Sequence, residues 1–203
     1  HAGQTCSAGS RILVQKEIYN EFMTQVAAHF AKVRVGTPDM DLDCGPVMNA
    51  KQRNLVEGFR EEAISSGIEL LSEGVFAEGL DQSGFWVKPA LFGNVPRDHR
   101  LACDEVFGPV LSAIPFEDEL DAIKLANATD YGLVGSVWTK DGNRQQRVAK
   151  RMNCGQVFIN NFGAGGGVEL PFGGMKKSGH GREKGFVALE HFTTTKTIVH
   201  YHE

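Results

Sequence analysis

Apolar positions along this chain fall into short β-branched runs separated by longer amphipathic stretches. Arg11–Val14 predicts a strand. From Glu17 to Val33, residues Ile18, Phe22, Val26 and Phe30 recur at the spacing of one helix face. The run Gly36-Thr37-Pro38-Asp39 breaks that helix. A second helix is predicted from Ala50 to Ser66, with Leu55, Phe59 and Ala63 as its buried stripe. Ile68–Leu71 predicts a strand ended by Glu73-Gly74, and Phe85–Phe92 an extended stretch, because the residue before a proline, here Lys88 before Pro89, avoids helical backbone.

The second half continues the alternation. Val110–Phe116 predicts a strand, Asp118–Asn127 a helix with acidic residues at its N-terminus, and Leu133–Trp138 another strand. Asp141–Met152 predicts a basic helix with Val148 and Met152 inward, and Gly155–Asn160 returns as a strand. The strands are nearly all apolar, as in a sheet covered on both faces. Strand and helix taking turns imply βαβ units, hence an α/β class with a mainly parallel sheet and helices on both faces. Asn161–Gly185 is dense in glycine, including Gly163, Gly165, Gly166, Gly167, Gly173 and Gly174, which implies tightly turning backbone or close approach. Thr193–Tyr201 predicts one last strand.

Composition narrows the function classes. The 203 residues are 41% hydrophobic and 23% charged, with net charge -4. That balance gives no electrostatic case for nucleic acid or an anionic membrane surface. No apolar run approaches the roughly 20 residues of a membrane-spanning helix, and no signal segment opens the chain. The cysteines Cys6, Cys44, Cys103 and Cys154 are scattered, without the paired spacing of a zinc site or a disulfide framework. No metal site and a reducing, cytoplasmic compartment are therefore expected. His200 and His202 read as solvated surface groups. The chain opens without methionine or a lead-in element, which reads as a segment of something longer.

The glycine-rich patterns do not match phosphate loops. Lys177-Ser178 follows Lys176 where a P-loop needs glycine, and Gly179, Gly181 and Gly185 miss the dinucleotide spacing by one residue. The strongest chemical candidate is Cys6, set among small residues in Gly3-Gln4-Thr5-Cys6-Ser7-Ala8-Gly9. Small neighbours leave room for a substrate carbon at the sulfur. A short helical turn beginning at Cys6 would aim backbone N–H groups at a thiolate. Cys103 and Cys154 fit the reading of structural cysteines.

Gly3-Gln4-Thr5-Cys6 resembles the active-site cysteine signature of the NAD(P)-dependent aldehyde dehydrogenase superfamily. Glu105-Val106-Phe107-Gly108-Pro109-Val110 resembles its second signature, and Pro171-Phe172-Gly173-Gly174-Met175-Lys176-Lys177-Ser178-Gly179-His180-Gly181-Arg182-Glu183 its third. Gly45-Pro46, Lys88-Pro89, Tyr131-Gly132-Leu133 and Asn160 fall in family order between them, so the resemblance covers essentially the whole chain. Asn160–Leu170 looks closest to the semialdehyde and betaine-aldehyde-like branches.

The resemblance implies an oxidoreductase that converts an aldehyde to a carboxylic acid with NAD or NADP. Cys6 is implied as the nucleophile that forms a thiohemiacetal and then a thioester. Glu105 is implied as the carboxylate that binds the nicotinamide ribose, and Phe107 as the aromatic beside ribose and ring. Phe162 and Phe172 match positions lining the aldehyde tunnel. Lys176, Arg182 and Glu183 read as structural or interface residues. Residues 1–192 correspond to the catalytic domain and 193–203 to an oligomerisation tail, which implies a homo-oligomer, dimer or tetramer. The family's coenzyme domain, its water-activating glutamate and its oxyanion-hole asparagine precede the matched cysteine motif, so an isolated chain of these residues is expected to be inactive. Two rival classes are a CoA-acylating dehydrogenase, disfavoured by the intact Pro171–Glu183 run, and a non-catalytic module that retains the fold.

Overall fold

In a computed structural model, residues 1–81, 83–163 and 167–203 are described. Gly165 and Gly166 of the glycine run lie outside the described residues. The chain forms two compact units, His1–Thr129 and Asp130–Glu203.

The first unit is built on strands β1 (Arg11–Gln15), β5 (Ala90–Gly93), β6 (Val110–Phe116) and β3 (Glu69–Glu73), in the order β1-β6-β5-β3. β1 and β6 pair in parallel, as do β5 and β6, while β3 runs antiparallel to β5. A minor parallel pair joins β2 (Arg34–Val35) to β4 (Val75–Phe76).

Side chains alternate across the main sheet, and both faces are covered. On one face Val14, Leu91 and Ala113 pack against Tyr19 and Met23 of α1 (Tyr19–Phe30). On the other, Ala90, Phe92, Val110 and Ile114 pack against Val56, Phe59 and Ala63 of α2 (Ala50–Ser65), Leu101 and Ala102 of α3 (Arg100–Cys103), and Leu125 of α4 (Glu119–Ala126). Asn49 caps α2 by accepting from the Gln52 N–H, and Asp118 caps α4 by accepting from the Asp121 N–H.

Two buried stripes differ from the sequence reading. Ile18 precedes the helix in a 3-10 turn, and the inward face of α1 is Tyr19 and Met23 with the predicted Val26 and Phe30 packed beside them, while Ile18 and Phe22 face solvent. The tyrosine can turn inward because its hydroxyl accepts the Asn94 N–H at 2.7 Å. In α2 the buried position is Val56, not Leu55.

The second unit holds the parallel pair β8 (Val134–Val137) and β9 (Gln156–Ile159), helix α5 (Gly142–Arg151), and the antiparallel pair β7 (Tyr131–Gly132) and β10 (Met175–Lys176). Val148 and Met152 are half-buried as expected, and the Met152 methyl fills the space beside Gly135. Arg182 organises backbone, donating to the carbonyls of Gly174 and Gly181. Phe186–Phe192 forms a 3-10 helix. The predicted final strand is not formed in the single chain: residues 193–203 carry no element and are exposed. A strand needs an edge to pair with, and among the described residues the tail pairs with none.

Candidate active site

Cys6 sits on a tight turn closed by the Ala8 N–H donating to the Thr5 carbonyl at 2.8 Å. The turn is a single one, and Gly9 and Ser10 lead directly from it to β1. Cys6 is exposed, while Ser7 beside it is buried. The other three cysteines are half-covered. Burial pushes the Cys44 and Cys154 thiols up from their ordinary range.

Two residues short of Cys6, ahead of Gln4 and Thr5, the backbone takes two left-handed residues, Ala2 and Gly3. Ala2 is buried in the same core as Val106 and Val110. Gly3 lies so close to Gly108 that a Cβ there would overlap the Gly108 carbonyl oxygen. Gly108 in turn rests on the Val56 side chain of α2. The segment leading into the Cys6 turn and the Glu105–Pro109 loop therefore touch. They also lead into β1 and β6, neighbours in the parallel sheet, so both lie at its amino-terminal edge.

The Glu105–Pro109 loop presents two side chains. The Glu105 carboxylate is exposed, with no hydrogen-bond partner among the described residues. Phe107 holds a left-handed backbone, φ 53°, rare for an aromatic residue, and the residue is 37% exposed. The Gln52 side-chain amide donates to the Phe107 carbonyl at 2.8 Å and to that of Val106 at 3.3 Å. On the other side, Gln4 accepts the Met48 N–H at 2.8 Å.

The first unit holds Cys6, Glu105 and Phe107 on two segments that meet at Gly3 and Gly108, and Gln4 and Gln52 bond within the same region. Asn49-x-x-Gln52 carries the capping-box pattern, the one sequence signal that a glutamine there has a local task. Phe162 and Phe172 belong to the second unit. Phe162 is exposed, and Phe172 is half-covered, with its backbone paired to Glu183 and Lys184 Nζ 5.4 Å from its ring centroid. Among the described residues no cluster of three or more potential metal ligands exists, and no helix is long and apolar enough to cross a membrane.

Fold and site define an α/β protein with an accessible thiol at the amino edge of its parallel strands. The chain belongs to the aldehyde dehydrogenase family, whose profile matches residues 1–198. It is similar to betaine aldehyde dehydrogenase of Bacillus subtilis (strain 168), 40% identical over 98% of this chain and 41% of that protein. A solved structure from Burkholderia cenocepacia, itself named only provisionally as an aldehyde dehydrogenase, superposes with TM-score 0.94 at 55% identity, covering 97% of this chain and 41% of that one. A betaine aldehyde dehydrogenase variant from Staphylococcus aureus in complex with NAD+ gives TM-score 0.90 at 39% identity, covering 97% and 40%. The chain thus spans about two fifths of the length of the curated relatives it matches.

Proposed function

We propose that this chain carries the catalytic cysteine and the nicotinamide end of the cofactor site of an NAD(P)-dependent aldehyde dehydrogenase. The observation that carries the reading is the contact of Gly3, three residues before exposed Cys6, with Gly108 of the loop that presents Glu105 and Phe107. A nicotinamide ribose calls for an acceptor toward its hydroxyls and a flat apolar surface beside it. An unpartnered carboxylate and an exposed ring on one loop suit that end.

In this reading the Cys6 sulfur attacks the aldehyde carbon, and the new oxyanion accepts the Cys6 backbone N–H. NAD or NADP, when bound, supplies the hydride acceptor. The carbon is then left as a thioester on Cys6, and water releases the carboxylic acid and restores the thiol. Glu105 holds the ribose and Phe107 the ring face. Phe162 and Phe172 are assigned to the aldehyde on the family resemblance. No residue of this chain is assigned the water-activating base, so acylation without sustained turnover is expected of these 203 residues alone. A cytoplasmic homo-oligomer agrees with four free cysteines and an apolar, unpaired tail.

The experiment is acyl trapping. Exposure to p-nitrophenyl acetate followed by peptide mass mapping should place one acetyl group on Cys6. Acetylation of Cys44, Cys103 or Cys154 in its place overturns the assignment.

A further inference from the structure

The parallel strands of the first unit have two edges, and Cys6 stands at the amino-terminal one. At the carboxyl-terminal edge three polar residues each follow directly on the end of a strand: Lys16 after β1, Asn94 after β5 and Glu117 after β6. β1 and β6 are neighbours, yet the helices that follow them cover opposite faces of the sheet. α1 packs on the face of Val14, Leu91 and Ala113, and α4 brings Leu125 to the face of Phe92 and Ile114. Connections that diverge in this way open a crevice outside the carboxyl ends of the strands, which is where open α/β sheets bind ligands.

A cavity of about 490 Å³ lies there, within the size range of small-molecule sites. Its polar lining is Lys16, Asn20, Asn94, Arg97 and Glu117, and Pro96 and Pro115 add apolar surface. The length of β6, roughly 20 Å, separates it from the Glu105–Pro109 loop.

The polar groups are unequally spent. Lys16 Nζ gives one donor to Glu117 at 2.7 Å and keeps the others. Arg97 gives both terminal nitrogens to Asp121, each at 2.7 Å, and keeps Nε. Glu117 and Asp121 are thus already matched by cations, and Asp121 also accepts the Glu117 N–H. The Asn20 and Asn94 side-chain amides have no partner among the described residues. Asn94 is nevertheless tied in place, because its N–H donates to the Tyr19 hydroxyl at 2.7 Å.

What the crevice still offers is charged donors and neutral amides. With both anions paired, the spare charged donors call for a carboxylate and not for an ammonium group. An amide both donates and accepts, which suits a hydroxyl. We propose that this crevice is a second small-molecule site, apart from the Cys6 chemistry, and that its ligand is a small hydroxycarboxylate. The ligand carboxylate accepts from Lys16 and Arg97, and its hydroxyls bond to Asn20 and Asn94. The two sites share no residue, so this assignment stands or falls independently of the reading of Cys6.

The test titrates the isotope-labelled 203-residue chain with sodium D-gluconate at constant ionic strength and follows amide resonances by NMR. The side-chain amides of Asn20 and Asn94 should shift together and saturate with a dissociation constant on the order of 1 mM. D-glucose, which has the hydroxyls and lacks the carboxylate, should bind about tenfold more weakly or worse. Asn94→Gly keeps the left-handed backbone and deletes the amide, and Lys16→Gln deletes the charge. Each should weaken gluconate about tenfold, the size of one lost hydrogen bond, at unchanged melting temperature. A variant that melts early is replaced by Asn20→Ala, which carries the same expectation. The proposal is overturned by any of three results: no saturable shift at Asn20 and Asn94, glucose binding as well as gluconate, or undiminished gluconate binding in a stable variant.

Discussion

Gly3 and Gly108 meet backbone to backbone, with the Gly108 carbonyl oxygen where a Gly3 side chain would begin. The contact joins the segment leading to Cys6 to the loop bearing Glu105 and Phe107. Gly3→Ala must therefore push the two loops apart and also hold alanine at φ 72°. We expect a loss of about 2 kcal/mol or more in the stability of the first unit, read by denaturant unfolding. A stable variant with wild-type alkylation of Cys6 would show that the contact is incidental.

Cys6 should react first among the four thiols. It is the exposed one, and burial raises the thiols of Cys44 and Cys154. Limiting iodoacetamide at neutral pH, followed by peptide mapping, should label Cys6 severalfold ahead of the rest. Preferential labelling of Cys44 or Cys154 contradicts the site geometry.

Much of this was legible in the sequence. Apolar runs located β1, β6 and β9, and the acid at Asp118 marked the start of α4, because burial on both faces and helix capping leave local traces. The inward face of α1 was not legible: Ile18 is the more apolar candidate, but the Asn94 N–H, far away in sequence, lets Tyr19 turn in. Leu55 and Val56 are equally apolar, and only the Gly108 loop decides between them. The tail has the composition of a strand, but pairing is a property of two segments, and 193–203 has no edge here. Cys6, Glu105 and Phe107 came from motifs. Gln52 did not, because its partner is a carbonyl on another loop.

Acid should weaken the first unit through Glu73. Its carboxylate accepts from Lys88 at 2.6 Å and from Arg60 at 2.9 Å, and these hold it below the usual carboxylate range. A depressed folded-state value means the contribution is present above the ordinary glutamate range and fades as pH falls through the lowered one. Glu73→Gln should cost about 1 kcal/mol at pH 7, toward the low end because the carboxylate is partly solvated. Urea unfolding at pH 7 and pH 3 should show that difference shrinking toward zero. A difference that persists at pH 3 assigns the effect to packing.

The tail should hold another chain. Ile198, Val199 and Tyr201 are each more than four-fifths exposed, on a stretch that pairs with no strand among the described residues. Truncation after Lys196 should lower the mass seen by light scattering. An unchanged mass ends the idea.

The central claim is that Cys6 is the nucleophile. Stopped-flow kinetics with p-nitrophenyl acetate test it most directly. A nitrophenol burst of at most one equivalent per chain is expected, then a near-zero steady rate, with the burst absent in Cys6→Ser. A burst of the same size in Cys6→Ser would contradict it.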